Sequence, residues 1–228
     1  MAKLKTKTAY LCSACGDDFP KWNGQCPTCK EWGTLSEFKI SPKKNGRIHE
    51  LRETKNLIDV LSVEPKDRIP TGLSEADRVL GGGLLSGSLI LLGGSPGVGK
   101  STLALHICSG INRKALYISA EESEEQVALR ARRLHVNPDQ LFLSGENELD
   151  GIIAHIDRLK PELVVVDSIQ TVMNSGLDSL PGSPSQIRDC GQRLLEVSKQ
   201  KNVSILIVGH VTKEGTIAGP KMLEHMVD

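Results

Sequence analysis

Gly94-Ser95-Pro96-Gly97-Val98-Gly99-Lys100-Ser101 satisfies G-x-x-x-x-G-K-[ST] in full, and Thr102 follows it directly. The glycines let successive backbone N–H groups converge on phosphate oxygens, beside the positive end of a helix. In this pattern Lys100 reaches the β- and γ-phosphates of ATP, the Ser101 hydroxyl ligates Mg²⁺, and Thr102 touches the α-phosphate. A second chemistry lies upstream. Cys12, Cys15, Cys26 and Cys29 form C-x2-C-x10-C-x2-C, a spacing that turns four thiolates toward one tetrahedral ion and suits Zn²⁺. Four cysteines close the coordination shell, so the site should be structural, with the metal supplying most of the folding energy of so small a module. "CPTC" alone has the spacing of a redox pair, but such a pair belongs at a strand-to-helix junction, and nothing around Cys26 has that pattern. Cys108 and Cys190 stand apart, each on a predicted helix among apolar residues, and read as core fillers.

Further polar residues fall at the ends of apolar runs. Asp167 closes "LVVVD", where a strand tip can place a carboxylate beside an Mg²⁺ shell. Glu121 and Glu122 follow "ALYIS" and precede a helix. One of them could orient and deprotonate an attacking water, and the other could serve as a first-turn acid favoured by the helix dipole. Position alone leaves both assignments open. His210 and Lys213 lie just past the last apolar run, and either sense the γ-phosphate or belong to a solvated loop.

These residues need a frame that brings distant loops to one edge. The runs "SLILLGG" (88–94), "ALYISA" (115–120), "LFLSG" (141–145), "LVVVDS" (163–168) and "VSILIVGHV" (203–211) read as buried strands. Helical spacing occupies Ser101–Gly110, Glu124–Leu134, Gly151–Leu159 and Ser185–Gln200, with Ile187, Cys190, Leu194 and Val197 on one apolar face of the last. Alternating strands and helices of this kind predict an α/β core with a mainly parallel sheet. The expected organisation is a four-cysteine zinc module over 1–38, a polar linker over 39–65 and an ATPase domain over 66–228.

Composition adds little about partners. Lys and Arg number 28 against 28 Asp and Glu; residues 1–60 hold 11 basic against 7 acidic residues, and the remainder 17 against 21. A mildly basic first quarter suits nucleic acid and a solvated surface equally. No apolar run approaches the roughly 18 residues that span a bilayer, and "MAKLKTKTAY" lacks the apolar core of a secretory signal. A cytoplasmic location without membrane contact is expected, a compartment in which cysteine pairs bind metal more often than they form disulfides.

The order "YLCSACG", "FPKWNGQCPTCKEWGTL", "TGLSEADRVLGGGLLSGSLILLGGSPGVGKSTL", "YISAEES", "VVVDSIQT" and "VGHVTKEG" resembles the bacterial RadA (Sms) family of DNA-repair proteins over essentially the whole chain. The resemblance implies a RecA-like ATPase core that forms hexameric rings on single-stranded and branched DNA. It also implies partnership with the recombinase RecA and ATP hydrolysis that drives branch migration. By position in "YISAEES" it makes Glu121 the catalytic glutamate, and it gives Lys100, Ser101 and Asp167 their usual P-loop roles. The family's KNRFG motif, Lon-like carboxyl-terminal domain and final core strands are not in this sequence, which is therefore read as an amino-terminal fragment. Two other classes share the cradle: a nucleotide-dependent module that docks DNA or a recombinase without productive hydrolysis, and a small-molecule kinase. The kinase reading lacks a substrate lid and gives the zinc module no role.

Overall fold

The computed structural model describes residues 7–12, 14, 17–40, 54, 56–58, 68–177, 179–210 and 221–228. Cys15 and Lys213 lie outside the described residues, as does most of the stretch read as a linker. The first unit is a three-stranded antiparallel sheet in the order β2-β1-β3, with β1 Lys7–Cys12, β2 Asp18–Phe19 and β3 Leu35–Ile40. β3 continues two residues past the expected boundary at 38 because Lys39 and Ile40 still pair with Thr8 and Lys7. Among the described residues its buried apolar side chains are Ala9, Leu11, Cys12, Cys26 and Leu35, with Tyr10, Phe19 and Cys29 packed against the cluster of Cys12, Cys26 and Leu35. So few apolar side chains cannot offset the entropy of ordering the module, which is why a cross-link of some kind is physically required.

A short helix α1 (Ser74–Val79) leads into the larger unit. There β4 (Leu89–Gly94), α2 (Lys100–Gly110), β5 (Ala115–Ser119), α3 (Glu124–Arg133), β6 (Leu141–Ser144), α4 (Leu149–Leu159), β7 (Leu163–Asp167), α5 (Pro184–Lys201) and β8 (Ser204–His210) alternate. The five strands form one parallel sheet in the order β4-β8-β7-β5-β6. Every residue of β5 and β7 is buried, as expected for parallel strands covered on both faces. The predicted elements are all present, with ends displaced by one or two residues.

Period-two alternation sorts the strand side chains into two cores. Leu116, Ile118, Val164, Val166, Ile205 and Ile207 meet α4 and α5, through Ile152, Ile156, Ile187, Cys190, Leu194 and Val197 among others. Tyr117, Val165, Leu206 and Val208 face the opposite way, toward Ala104, Leu105 and Cys108 of α2. Each fully buried aliphatic side chain contributes about 2 kcal/mol. Local signals fix the helix ends: Ser123 and Gln126 form a reciprocal capping box on α3, Pro184 opens α5, and Asn202 closes it in the left-handed region at φ 54°. No helix among the described residues is long and apolar enough to cross a membrane.

Two glycines on helices are there to admit a neighbour. A Cβ on Gly191 of α5 would meet Leu223 Cδ2 at 2.6 Å, and one on Gly110 would meet the Thr71 carbonyl oxygen at 1.9 Å. The Thr71 segment cannot yield easily, because the Asp77 carboxylate accepts hydrogen bonds from both its N–H and its hydroxyl, each 2.8 Å. Gly110→Ala should therefore lower unfolding stability by at least about 2 kcal/mol. Urea denaturation followed by circular dichroism measures this, and an unchanged midpoint would contradict the close approach.

Candidate functional site

The parallel register collects the polar residues at one edge. Gly94, the last residue of β4, pairs with His210, the last of β8, and Ser119, the last of β5, pairs with Asp167, the last of β7. All four therefore lie at the carboxyl edge of the sheet, where open α/β folds bind ligands. The loop from Ser95 to Gly99 leaves this edge and enters α2. Gly97 and Gly99 adopt φ 79° and 101°, and a Cβ at either would meet nothing within 4 Å. Their glycine requirement is thus conformational, since other residues pay a steric penalty in this region. Gly99 caps α2 without any side-chain acceptor, which leaves the first-turn N–H groups for another partner.

Lys100 is buried, with 7% of its surface exposed. Its ammonium donates to the carbonyls of Gly94 (2.9 Å) and Ser95 (3.0 Å), and among the described residues no carboxylate pairs with it. A buried cation held only by carbonyl dipoles is strongly favoured by an added anion. The loop conformation, the uncapped helix end and this unneutralised ammonium together fit a phosphate group. Ser101 opens the same helix, and the Asp167 carboxylate, 8% exposed, sits at the tip of β7. A hydroxyl and a carboxylate are hard oxygen donors of the kind Mg²⁺ takes.

The two adjacent glutamates separate clearly in three dimensions. Glu122 is bound through both carboxylate oxygens to the Arg130 guanidinium on α3, one contact at 2.6 Å, and this hydrogen bond raises the arginine's pKa further. The Glu122 carbonyl also accepts a hydrogen bond from the Ser119 hydroxyl at 2.7 Å. Glu121 turns instead toward the strand tips: its Oε1 accepts a hydrogen bond from the Ser168 hydroxyl and lies 3.2 Å from His210 Nε2. One carboxylate is paired with an arginine, and its neighbour meets the Ser168 hydroxyl and the His210 ring at the carboxyl edge.

Three residues here were not singled out in the sequence. Ser168 directly follows Asp167, Arg130 lies two turns into α3, and Tyr117 sits inside an apolar strand with 1% exposure. The Tyr117 hydroxyl donates to Asp167 Oδ2. Burial, and then the adjacent carboxylate, push the phenol pKa well above its ordinary value, so it remains a donor. A polar tip within a buried run was the available signal, because a buried hydroxyl requires a partner. Cys108 and Cys190 are core fillers, as expected. Burial raises both thiols, that of Cys190 to about 12, which keeps them unreactive.

In the smaller unit the Sγ atoms of Cys12, Cys26 and Cys29 lie within 4.8 Å of one another, with Cys12 and Cys29 3.7 Å apart. Sulfurs 2.3 Å from a tetrahedral ion stand about 3.8 Å from each other, so the spacing fits zinc. Backbone turns shape the set: Cys12 N–H donates to Asp17 and Cys26 N–H to Glu31, both at 2.9 Å. The Thr34 hydroxyl lies 3.2 Å from Cys12 Sγ. Trp22 and Trp32 stand largely exposed beside this cluster, 59% and 73% accessible.

A glycine cradle, a strand-tip aspartate and a five-stranded parallel sheet define a P-loop nucleotide-binding α/β domain, here with a small cysteine ribbon before it. The chain belongs to the AAA domain family, whose model matches residues 54–216, and residues 10–37 match the rubredoxin metal binding domain. It is similar to DNA repair protein RadA of Listeria monocytogenes, 47% identical across 100% of this chain and 51% of that protein. The RadA proteins of Bacillus subtilis and Aquifex aeolicus are 46% and 45% identical, each over 98% of this chain and 51% of theirs. The chain spans about half the length of these curated relatives.

The cysteine geometry yields a direct test. Elemental analysis of purified protein should find about one zinc per chain, and Cys26→Ser should lose the metal together with the order of the small sheet. Protein prepared without chelators and free of zinc would refute the site.

Proposed function

We propose that this protein is an ATP hydrolase of recombinational DNA repair, stimulated by DNA, that uses hydrolysis to drive branch migration and the processing of recombination intermediates. The observation that carries the hydrolytic part is the division between Glu121 and Glu122. Glu122 is engaged through both carboxylate oxygens by Arg130, whereas Glu121, among the described residues, meets the Ser168 hydroxyl and the His210 ring at the carboxyl edge. Glu121 then orients a water and takes its proton as that water attacks the γ-phosphorus, the bond to the β–γ bridging oxygen breaks, and ADP leaves with the electron pair. Lys100 exchanges its loop carbonyls for the β- and γ-phosphates, and the backbone N–H groups from Ser95 to Lys100 hold the remaining oxygens. Ser101 and Asp167 hold Mg²⁺, which offsets phosphate charge when bound. His210, at the tip of β8 between the cradle strand and β7, connects Glu121 to the segment that follows, and can register whether the γ-phosphate is present.

The DNA part rests on the RadA relatives, named for DNA repair. Single-stranded and branched DNA, RecA and a homo-hexameric ring are the partners proposed. The zinc ribbon is proposed as a contact handle, supported by its exposed Trp22 and Trp32 and by the basic excess of residues 1–60.

Steady-state ATP hydrolysis by the 228-residue chain, with and without single-stranded DNA, tests the reading. Glu121→Gln should retain ATP binding and lower turnover by about 10²–10⁴-fold, while Glu122→Gln should lower it by less than about tenfold. Equal losses in the two variants would remove the assignment, and ATP binding without any turnover in the unaltered chain would favour a binding-only module. DNA affinity should fall linearly on a log–log plot against salt, as phosphate contacts require, and deletion of residues 1–38 should weaken it.

A further inference from the structure

We infer that Tyr117 is a positioning residue for the Mg²⁺ site, acting through Asp167; this rests on the nucleotide reading above. Tyr117 lies two residues before Ser119 on β5, and Ser119 is the register partner of Asp167 on β7. The phenol must therefore reach about 6.6 Å along the strand direction to meet the carboxylate, two residues of strand rise. Its ring is enclosed in the core with Ala104, Leu105 and Cys108 of α2, the helix whose first turn carries Lys100, Ser101 and Thr102. Only the para-hydroxyl emerges at the site, and it takes Asp167 Oδ2.

Two consequences follow from that contact. A strand-tip aspartate left to itself rotates about its side-chain torsions, and a rigid donor on one oxygen fixes the plane of the carboxylate. The other oxygen is then held in one direction, as a ligand to a cation must be. Because the tyrosine ring is wedged against α2, the height of Asp167 is also set relative to the helix that carries the cradle. The two halves of the cation site, one on α2 and one on β7, are thereby held in common register by a side chain that touches neither nucleotide nor metal. Phenylalanine fills the same volume but has no donor, so the contact can be removed without opening a cavity.

ATP binding measured by titration calorimetry with and without Mg²⁺ gives, for each variant, the factor by which the cation tightens binding. Tyr117→Phe should shrink this factor about tenfold, the scale of one lost hydrogen bond to a charged group. In an Asp167→Ala background the same change should alter it by less than about twofold, because the acceptor is already gone. An undiminished factor in Tyr117→Phe, or an equal loss in both backgrounds, would overturn the proposal, the latter by exposing a merely structural role. A measurement on the unaltered chain does not depend on how the variants fold. Tyr10 and Tyr117 are its two tyrosines, so ¹³Cζ-tyrosine labelling gives two resonances. Adding Mg²⁺ to the ATP complex should move one of them, and two unmoved resonances would overturn the proposal. If the unaltered chain bound no ATP, the nucleotide reading would fall first, and this inference with it.

Discussion

A parallel sheet buried on both faces has no place for an unpaired polar group except at its strand ends, and this constraint organises the whole larger unit. Alternating side chains of β5, β7 and β8 are committed to two apolar cores, so polar residues along these strands must either find a partner inside or be pushed to the carboxyl edge. Ser119, Asp167 and His210 took the edge. Tyr117 took the other course, with its ring in the core and its hydroxyl on Asp167. The site is thus the collected polar remainder of the sheet, aligned by strand register, with the glycine cradle added at the tip of β4.

Charge placement at that edge follows a simple division. Among the described residues Lys100 is a buried cation held by backbone carbonyls, Glu122 is an anion with a protein cation, and Glu121 meets the Ser168 hydroxyl and the His210 ring. Lys100 and Glu121 are the two whose proposed roles bring them opposite substrate, and Glu122 is the one compensated by an arginine. The compensated one fixes the turn between β5 and α3, helped by the Ser119 hydroxyl on its carbonyl and by the capping box at Ser123. The ion pair therefore keeps a second carboxylate out of the way and also pins the loop that carries the first.

The smaller unit obeys a different physics. Among the described residues its buried apolar side chains are Ala9, Leu11, Cys12, Cys26 and Leu35, too few to hold a fold without a cross-link. The sheet spaces Cys12 from its partners, and two backbone turns deliver the cysteines. Large aromatic side chains that a fuller core would have absorbed, Trp22 and Trp32, stay on its surface.

The sequence by itself determined whatever depends on short stretches of backbone. The cradle, the cysteine spacing, five strands and the four longer helices are legible because glycine conformations, cap residues and apolar periodicity act within a few residues. Cys108 and Cys190 were recognisable as core for the same reason. Tertiary structure decided what depends on partners far along the chain. Glu121 and Glu122 are neighbours with the same side chain, and their spacing to the preceding strand cannot rank them. Arg130, eight residues beyond Glu122, and Ser168, 47 residues beyond Glu121, give the two carboxylates different partners. Tyr117 looked like one more apolar position in β5 until β7 placed a carboxylate within reach of its hydroxyl, 50 residues away. Electrostatic roles belong to pairs, and pairs are set by strand order and register, which no local pattern encodes.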